Sequence, residues 1–263
     1  MSRFKKVRGL KTEKYKESSY IDRVYERLKN IDATQRKNVE MAGKALAKVI
    51  RGDRLIYVFG AGGHTSLVTG EMFFRVGGLA NIYPVSEMGL TAFGRARTFL
   101  ALERCSGLGE ALIRANGVGE GDALLLFHTI GVTGTCIEAA KEAGKLGAVV
   151  IGIASSQWQD QTPMDAEIRA SGKENLRDLV DIYIDDCNTV EDAGVWLDGI
   201  DVPVGPLSGI GSFAIAHMVE MATIQECLSQ RITPPVWGNA NTPEGAEKNK
   251  RLLKKYETRI PFL

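Results

Sequence analysis

The feature that most restricts how this chain can fold is a unit that occurs twice: an unbroken apolar run, a turn rich in glycine and hydroxyl groups, then a helical stretch. The first copy is Leu55-Ile56-Tyr57-Val58-Phe59, broken by Gly60-Ala61-Gly62-Gly63, with a helix predicted over residues 66–76. The second is the run 123–127, the turn His128-Thr129-Ile130-Gly131-Val132-Thr133-Gly134-Thr135, and a helix over 136–145. Residues 149–153, followed by Ser155-Ser156, and residues 180–184 read as third and fourth strands, and 80–85 as a further one. Short runs without polar alternation are strands covered on both faces. Strands alternating with helices require a parallel sheet with right-handed crossovers.

Helices flank this core. Val39, Ala42, Leu46 and Val49 recur at helical spacing within residues 19–50, and Gly52 supplies a stop. Residues 208–228 are apolar and small, which predicts a long helix packed on the sheet or against a second subunit. Residues 244–256 form a charged helix, and Thr233-Pro234-Pro235 before it is a turn. The expectation is one domain over 1–263: an N-terminal helical segment (1–50), an α/β core (51–230) and a C-terminal tail packing on the core (231–263). With 44% hydrophobic residues, 263 positions suffice for a substantial core.

Charge argues against several function classes. Thirty-three Lys and Arg oppose thirty-two Asp and Glu, leaving +1, so no overall field steers a polyanion such as nucleic acid. The basic opening, Arg3, Lys5, Lys6, Arg8 and Lys11, reads as a solvated terminus. Cys105, Cys136, Cys187 and Cys227 show no C-x-x-C spacing, which argues against structural zinc and a disulfide scaffold and fits a reducing cytoplasm. No segment approaches the roughly 20 apolar residues of a membrane span.

In an open parallel sheet, ligands bind beyond the carboxyl ends of the strands, where turns and helix N-termini collect. Any one turn here, taken alone, is most simply a tight strand-to-helix connection with an N-cap. Residues 60–66, 129–135 and Ser155-Ser156 together would present backbone N–H groups and hydroxyls to one crevice, as a phosphate or polyol site does. The first turn lacks the third glycine of the dinucleotide fingerprint, and no P-loop lysine follows, so a nicotinamide dehydrogenase is disfavoured.

These turns, together with Phe74-Arg75-Val76-Gly77-Gly78-Leu79-Ala80, Ser171-Gly172-Lys173, Val204-Gly205-Pro206-Leu207-Ser208 and Pro234-Pro235-Val236 followed by Asn239-Ala240-Asn241, resemble SIS (sugar isomerase) domain proteins. Within them the likeness is to a bacterial subgroup related to phosphoheptose isomerase. The resemblance implies a three-layer α/β/α fold with a five-stranded parallel sheet, homodimers or homotetramers, and a sugar or sugar-phosphate site near a subunit boundary. The same fold also serves in non-catalytic sugar-phosphate sensors. One departure stands out. The family's Ser-x-Ser-Gly-x-Thr phosphate turn is here His128, Thr129, Ile130, Gly131, Val132, Thr133, with both serines gone. An unphosphorylated sugar, or an acid sugar paired with His128 or Arg75, is then an alternative ligand.

By the same resemblance Glu71 and His217 match a catalytic glutamate and histidine, the base and acid of an enediol isomerisation. The bland alternatives are an i,i+4 surface pair of Glu71 with Arg75 and a satisfied core histidine at 217. Candidate substrate-binding residues are Gly62, Gly63, His64, Thr65 and Ser66 in the first turn and His128, Thr129, Gly131 and Thr133 in the second, with Ser155, Arg75 and Glu87. No cofactor is expected. His64 and His128, with Glu71 or Glu87, would make a divalent-metal ligand set, although sequence spacing does not support one. Asp185-Asp186 rank below Glu87, and Trp158, Trp196 and Trp237 are read as core or interface residues. Two functions remain open: a sugar or sugar-phosphate aldose–ketose isomerase, and a non-catalytic sugar-phosphate-binding protein. The absence of a convincing helix-turn-helix pattern in the N-terminal helical segment favours the enzyme.

Overall fold

The computed structural model describes residues 19–263, so the basic opening lies outside the described residues. Helix α1 (Ser19–Arg51) leads into β1 (Ile56–Gly60), α2 (Ser66–Met72) and β2 (Ile82–Val85). Then come α3 (Ala96–Leu102), α4 (Leu108–Ala115), β3 (Ala123–Phe127), α5 (Gly134–Lys145), β4 (Val149–Ala154), α6 (Ser156–Gln161) and β5 (Ile182–Asp185). A small hairpin, β6 (Ala193–Val195) and β7 (Val204–Pro206), precedes α7 (Ser208–Ser229) and α8 (Pro243–Tyr256).

The five main strands form one parallel sheet in the order β2-β1-β3-β4-β5. The reason the runs are uniformly apolar is visible in their alternation. Tyr57, Phe59, Leu124 and Leu126 point to one core with Ile113 of α4 and Ile137 of α5. Ile56, Val58, Leu125 and Phe127 point to a second core with α1, α2 and α7. This is the expected three-layer arrangement, with helices on both faces.

Helix α7 crosses α1 at close range, and a Cβ on Gly43 would lie 2.7 Å from the Ala222 carbonyl carbon. The tail packs on the first core through Trp237, Tyr256 and Ile260. It also bonds to the chain just before β2, Ala80 N–H to Pro235 O at 2.6 Å and Trp237 N–H to Gly78 O at 3.0 Å. Among the described residues no helix is long and apolar enough to cross a membrane.

Several elements depart from expectation. Helix α2 stops at Met72, not 76, because Phe73 is extended and Phe74 takes φ +51°. Helices α3, α4 and α6 and the β6–β7 hairpin were not anticipated.

Candidate functional site

The order of the sheet reverses at β1, whose neighbours are β2 and β3, and the turn after β1 and the turn after β3 face each other across that switch point. The first turn is tight because Gly60 allows it: a Cβ there would stand 2.0 Å from Thr65 O. Gly60 N–H is held by Thr69 Oγ1 at 3.0 Å, tying strand to helix.

Between the turns lies a cavity of about 210 Å³. The sequence-derived residues Gly62, Gly63, His64, Thr65, His128 and Thr129 line it, joined by Phe99, Glu103, Trp158 and Asp192. Gly131 and Thr133 stand behind this lining and hold His128: the Gly131 N–H donates to Nδ1 at 2.9 Å, and Thr133 Oγ1 lies 3.2 Å from Nε2. With Nδ1 accepting, a neutral ring carries its proton on Nε2. Nε2 faces Glu103 Oε2 at 3.8 Å, and Glu103 Oε1 accepts the Gly63 N–H at 3.1 Å. Burial pushes the Glu103 carboxyl up, but the hydrogen bond and attraction of His128, the Gly63 N–H and Arg104 outweigh it, holding the group below the usual carboxylate value. The Thr129 hydroxyl is buried and faces Asp186 without reaching hydrogen-bond geometry.

Other expected ligands are spent elsewhere. Ser66 Oγ donates to Gly63 O at 2.7 Å, and Ser155 Oγ donates to Asn188 O at 2.6 Å while capping α6 through the Trp158 N–H. Glu87 caps a 3-10 turn by accepting the Gly89 N–H, away from the cavity. No three His, Cys, Asp or Glu side chains converge for a metal among the described residues. His128 has both ring nitrogens engaged by protein partners, while His64 is exposed and meets the edge of Phe99.

Glu71 and His217 meet on the other face of the first turn's helix. His217 Nε2 lies 3.2 Å from Glu71 Oε1, and its Nδ1 lies 3.0 Å from Glu220 Oε2. Arg75, although beyond the shortened α2, still reaches Glu71 Oε1 through Nε at 3.1 Å. Glu220 is nearly enclosed and accepts the Leu79 N–H at 3.2 Å. Burial raises its carboxyl above the ordinary value, against the pull of His217 and the Leu79 N–H. The His217 side chain is 42% exposed, so an imidazole flanked by two carboxylates is open to solvent. Such a ring donates to one carboxylate when neutral and to both when protonated, and so can pass a proton.

Neither Glu71 nor His217 lines the cavity. Ser208, at the start of α7, does; His217 lies nine residues further on, about 13 Å at the rise of an α-helix. Glu103 and Glu220 were missed in the sequence. Glu220 was discoverable, since it stands three residues from His217 on one helix face. Glu103 follows a short, largely exposed helix and carries no motif.

A model of the SIS domain matches residues 19–155. The UPF0309 protein of Thermoanaerobacter pseudethanolicus is 30% identical over 248 residues, covering 93% of this chain and 98% of that protein. The UPF0309 protein of Listeria innocua is 31% identical over 246 residues, covering 94% and 98%. Among solved structures, a phosphoheptose isomerase from Francisella tularensis superposes with a TM-score of 0.50 at 15% identity, covering 80% of this chain and 96% of that one. One from Neisseria gonorrhoeae gives 0.50 at 15%, covering 78% and 96%. At that identity the likeness to the two isomerases is one of fold.

Proposed function

This chain belongs to the SIS domain family, and from that membership we propose that it is a sugar aldose–ketose isomerase using Glu71 and His217 for enediol proton transfer. The observation that carries the reading is the solvent-accessible His217 imidazole held between Glu71 and Glu220 at 3.2 and 3.0 Å. One carboxylate removes the proton next to the carbonyl, and the imidazole moves the proton between the two oxygens.

The turn cavity supplies substrate binding in this reading, and its chemistry favours an uncharged polyol over a phosphate. Glu103 and Asp192 line it, no lysine or arginine among the described residues does, and His128 occupies the turn where it takes the Gly131 N–H. Phe99 and Trp158 offer ring faces to a sugar.

The acid–base pair lies outside the cavity lining, about 13 Å from it along α7 and about 9 Å along α2, and in this reading a second chain brings the two together. Met221 and Leu228 leave the solvent face of α7 apolar, 69% and 61% exposed, as a surface for a second copy in a homodimer or homotetramer. One copy's pair would then complete another copy's cavity. Four free cysteines suit a reducing cytoplasm.

The test follows solvent deuterium entering C2 of aldoses and C1 of 2-ketoses, free and phosphorylated, by NMR. Exchange lost in Glu71→Gln and in His217→Asn, and regained when Glu71→Gln and Gly62→Val chains are co-expressed, supports the reading. Saturable sugar binding with no exchange in the unaltered protein sinks it and leaves a sensor.

A further inference from the structure

A further cavity of about 500 Å³ lies away from both clusters, between α1 and the β6–β7 hairpin. None of the candidate catalytic or substrate-binding residues drawn from the sequence lines it, although Cys187, Trp196 and Leu207 do. Its distinctive occupant is Arg27, which is 8% exposed although it belongs to a helix whose other charges face solvent. Nη1 donates to Asn188 Oδ1 at 2.5 Å. The other edge of the guanidinium, Nε and Nη2, has no hydrogen bond and no ion pair among the described residues.

A buried cation normally brings its own counter-ion within contact distance, since desolvation of an unpaired charge is costly. Of the acids that face Arg27, Asp192 has both oxygens engaged, Asp185 and Asp186 have one each, and Asp186 Oδ2 is buried without a hydrogen-bond partner; none makes an ion pair with Arg27 among the described residues. Asp192 accepts from Asn188 Nδ2, from the Ser208 N–H and from Ser208 Oγ. Asp185 accepts from the N–H groups of Ser156 and Cys187, and Asp186 accepts the Asn188 N–H. Their attraction reaches Arg27 only at longer range, and burial remains the larger effect on it, lowering its proton affinity. Two further carboxylates line the cavity: Glu26, ion-paired with Arg23 at 2.9 Å, and exposed Glu191.

From this cavity and the open guanidinium edge we infer a second ligand site, which takes a small ring compound bearing one carboxylate or phosphate group. Nε and Nη2 point the same way and form the fork that receives two oxygens of an oxyanion. Trp196, half-buried on the hairpin, supplies a flat apolar face for the ring, and Asn30 and Thr189 supply polar groups for its hydroxyls. The volume is in the range of small-molecule sites. The site is separate from the turn cavity, which no lysine or arginine lines among the described residues, and it does not depend on the proposed isomerase activity. Its position gives it a means of influence: Asp192 lines the turn cavity and is bonded to Asn188, the partner of Arg27.

Isothermal titration of the full chain with glucuronate, glucose 6-phosphate and glucose tests the site and separates the two anion sources. The expected result is saturable binding of at least one anion, with glucose not competing for it. That binding should weaken about tenfold or more in Arg27→Gln, which keeps a partner for Asn188, and weaken in Trp196→Ala. It should survive in Gly62→Val, which obstructs the turn cavity only. Anion binding that is unchanged in Arg27→Gln, or lost in Gly62→Val, overturns the second site, as does no anion binding at millimolar concentration. Failure of the isomerase reading would instead show as absent deuterium exchange with these titrations intact.

Discussion

His217 Nε2 and Glu71 Oε1 are 3.2 Å apart although 146 positions separate them in the chain. The contact exists because α2 and α7 pack side by side over the same core, Val68 and Met72 from one against Ile215 and Val219 from the other. Glu71→Gln and His217→Asn each remove a proton-transfer group while keeping a hydrogen-bonding side chain of similar size. Both should lower isomerase turnover about 100-fold or more. Because His217 is substantially exposed, thermal melting should move little, and a melt run beside the NMR assay separates chemistry from folding.

Asp186 makes a different kind of prediction. Its complete burial pushes the carboxyl from 3.8 up to about 7, with the Asn188 N–H, the Thr129 hydroxyl and Arg27 opposing and Asp185 reinforcing. The folded state therefore binds this proton more tightly than the unfolded chain. The stability so contributed is complete below the ordinary value and is lost as pH rises through about 7. The loss is at most about 4 kcal/mol. In Asp186→Asn that part of the pH dependence should vanish, so urea unfolding at pH 8 should show the variant gaining on the wild type relative to pH 4.

Glu103 titrates in the opposite sense, being held below the usual carboxylate value in the fold. Its contribution is present above the ordinary value of 4.5 and is lost as pH falls through the lower folded value. Glu103→Gln should cost about 1–3 kcal/mol at pH 7, measured by denaturant unfolding, with the cost shrinking on acidification. Loosening the Gly63 N–H should also weaken sugar binding in the turn cavity.

Gly60→Ala should be among the most damaging single changes. The added methyl would stand 2.0 Å from Thr65 O and 2.5 Å from Ser66 N, backbone atoms of the turn itself. A loss of roughly 3 kcal/mol or more, or failure to accumulate as soluble protein, is expected in expression and melting trials.

What the sequence revealed tracks what each residue does in the packing. Strands β1, β3 and β4 were readable because both faces of each are covered, leaving no polar position to blur the run. Helix α3 was not, because none of its residues is buried. The β6–β7 hairpin has only three residues per strand, too few for a periodic signal. In the site, the turn glycines came from the strand–turn–helix pattern and the Glu71–His217 pair from the family likeness, whereas Glu103 acquires its role only when the chain brings it beneath Gly63. Arg27 did leave a trace: with Ile31 and Gln35 it forms an i, i+4, i+8 row that continues along the buried face of α1. A charge on that stripe is the mark of a side chain with a task inside the molecule.

Strand β2 ends the sheet, and an end strand is where one polypeptide most readily templates another. It is four residues long and carries Pro84, which cannot donate to an incoming chain. Val236 bridges to Leu79 just ahead of it, and the ring of Phe262 lies edge-on to Tyr83 at 5.7 Å. Residues 235–262 thus cover part of the β2 edge as well as packing on the core. Nicking of the tail would uncover that edge, so a clipped form should self-associate more readily than the intact chain.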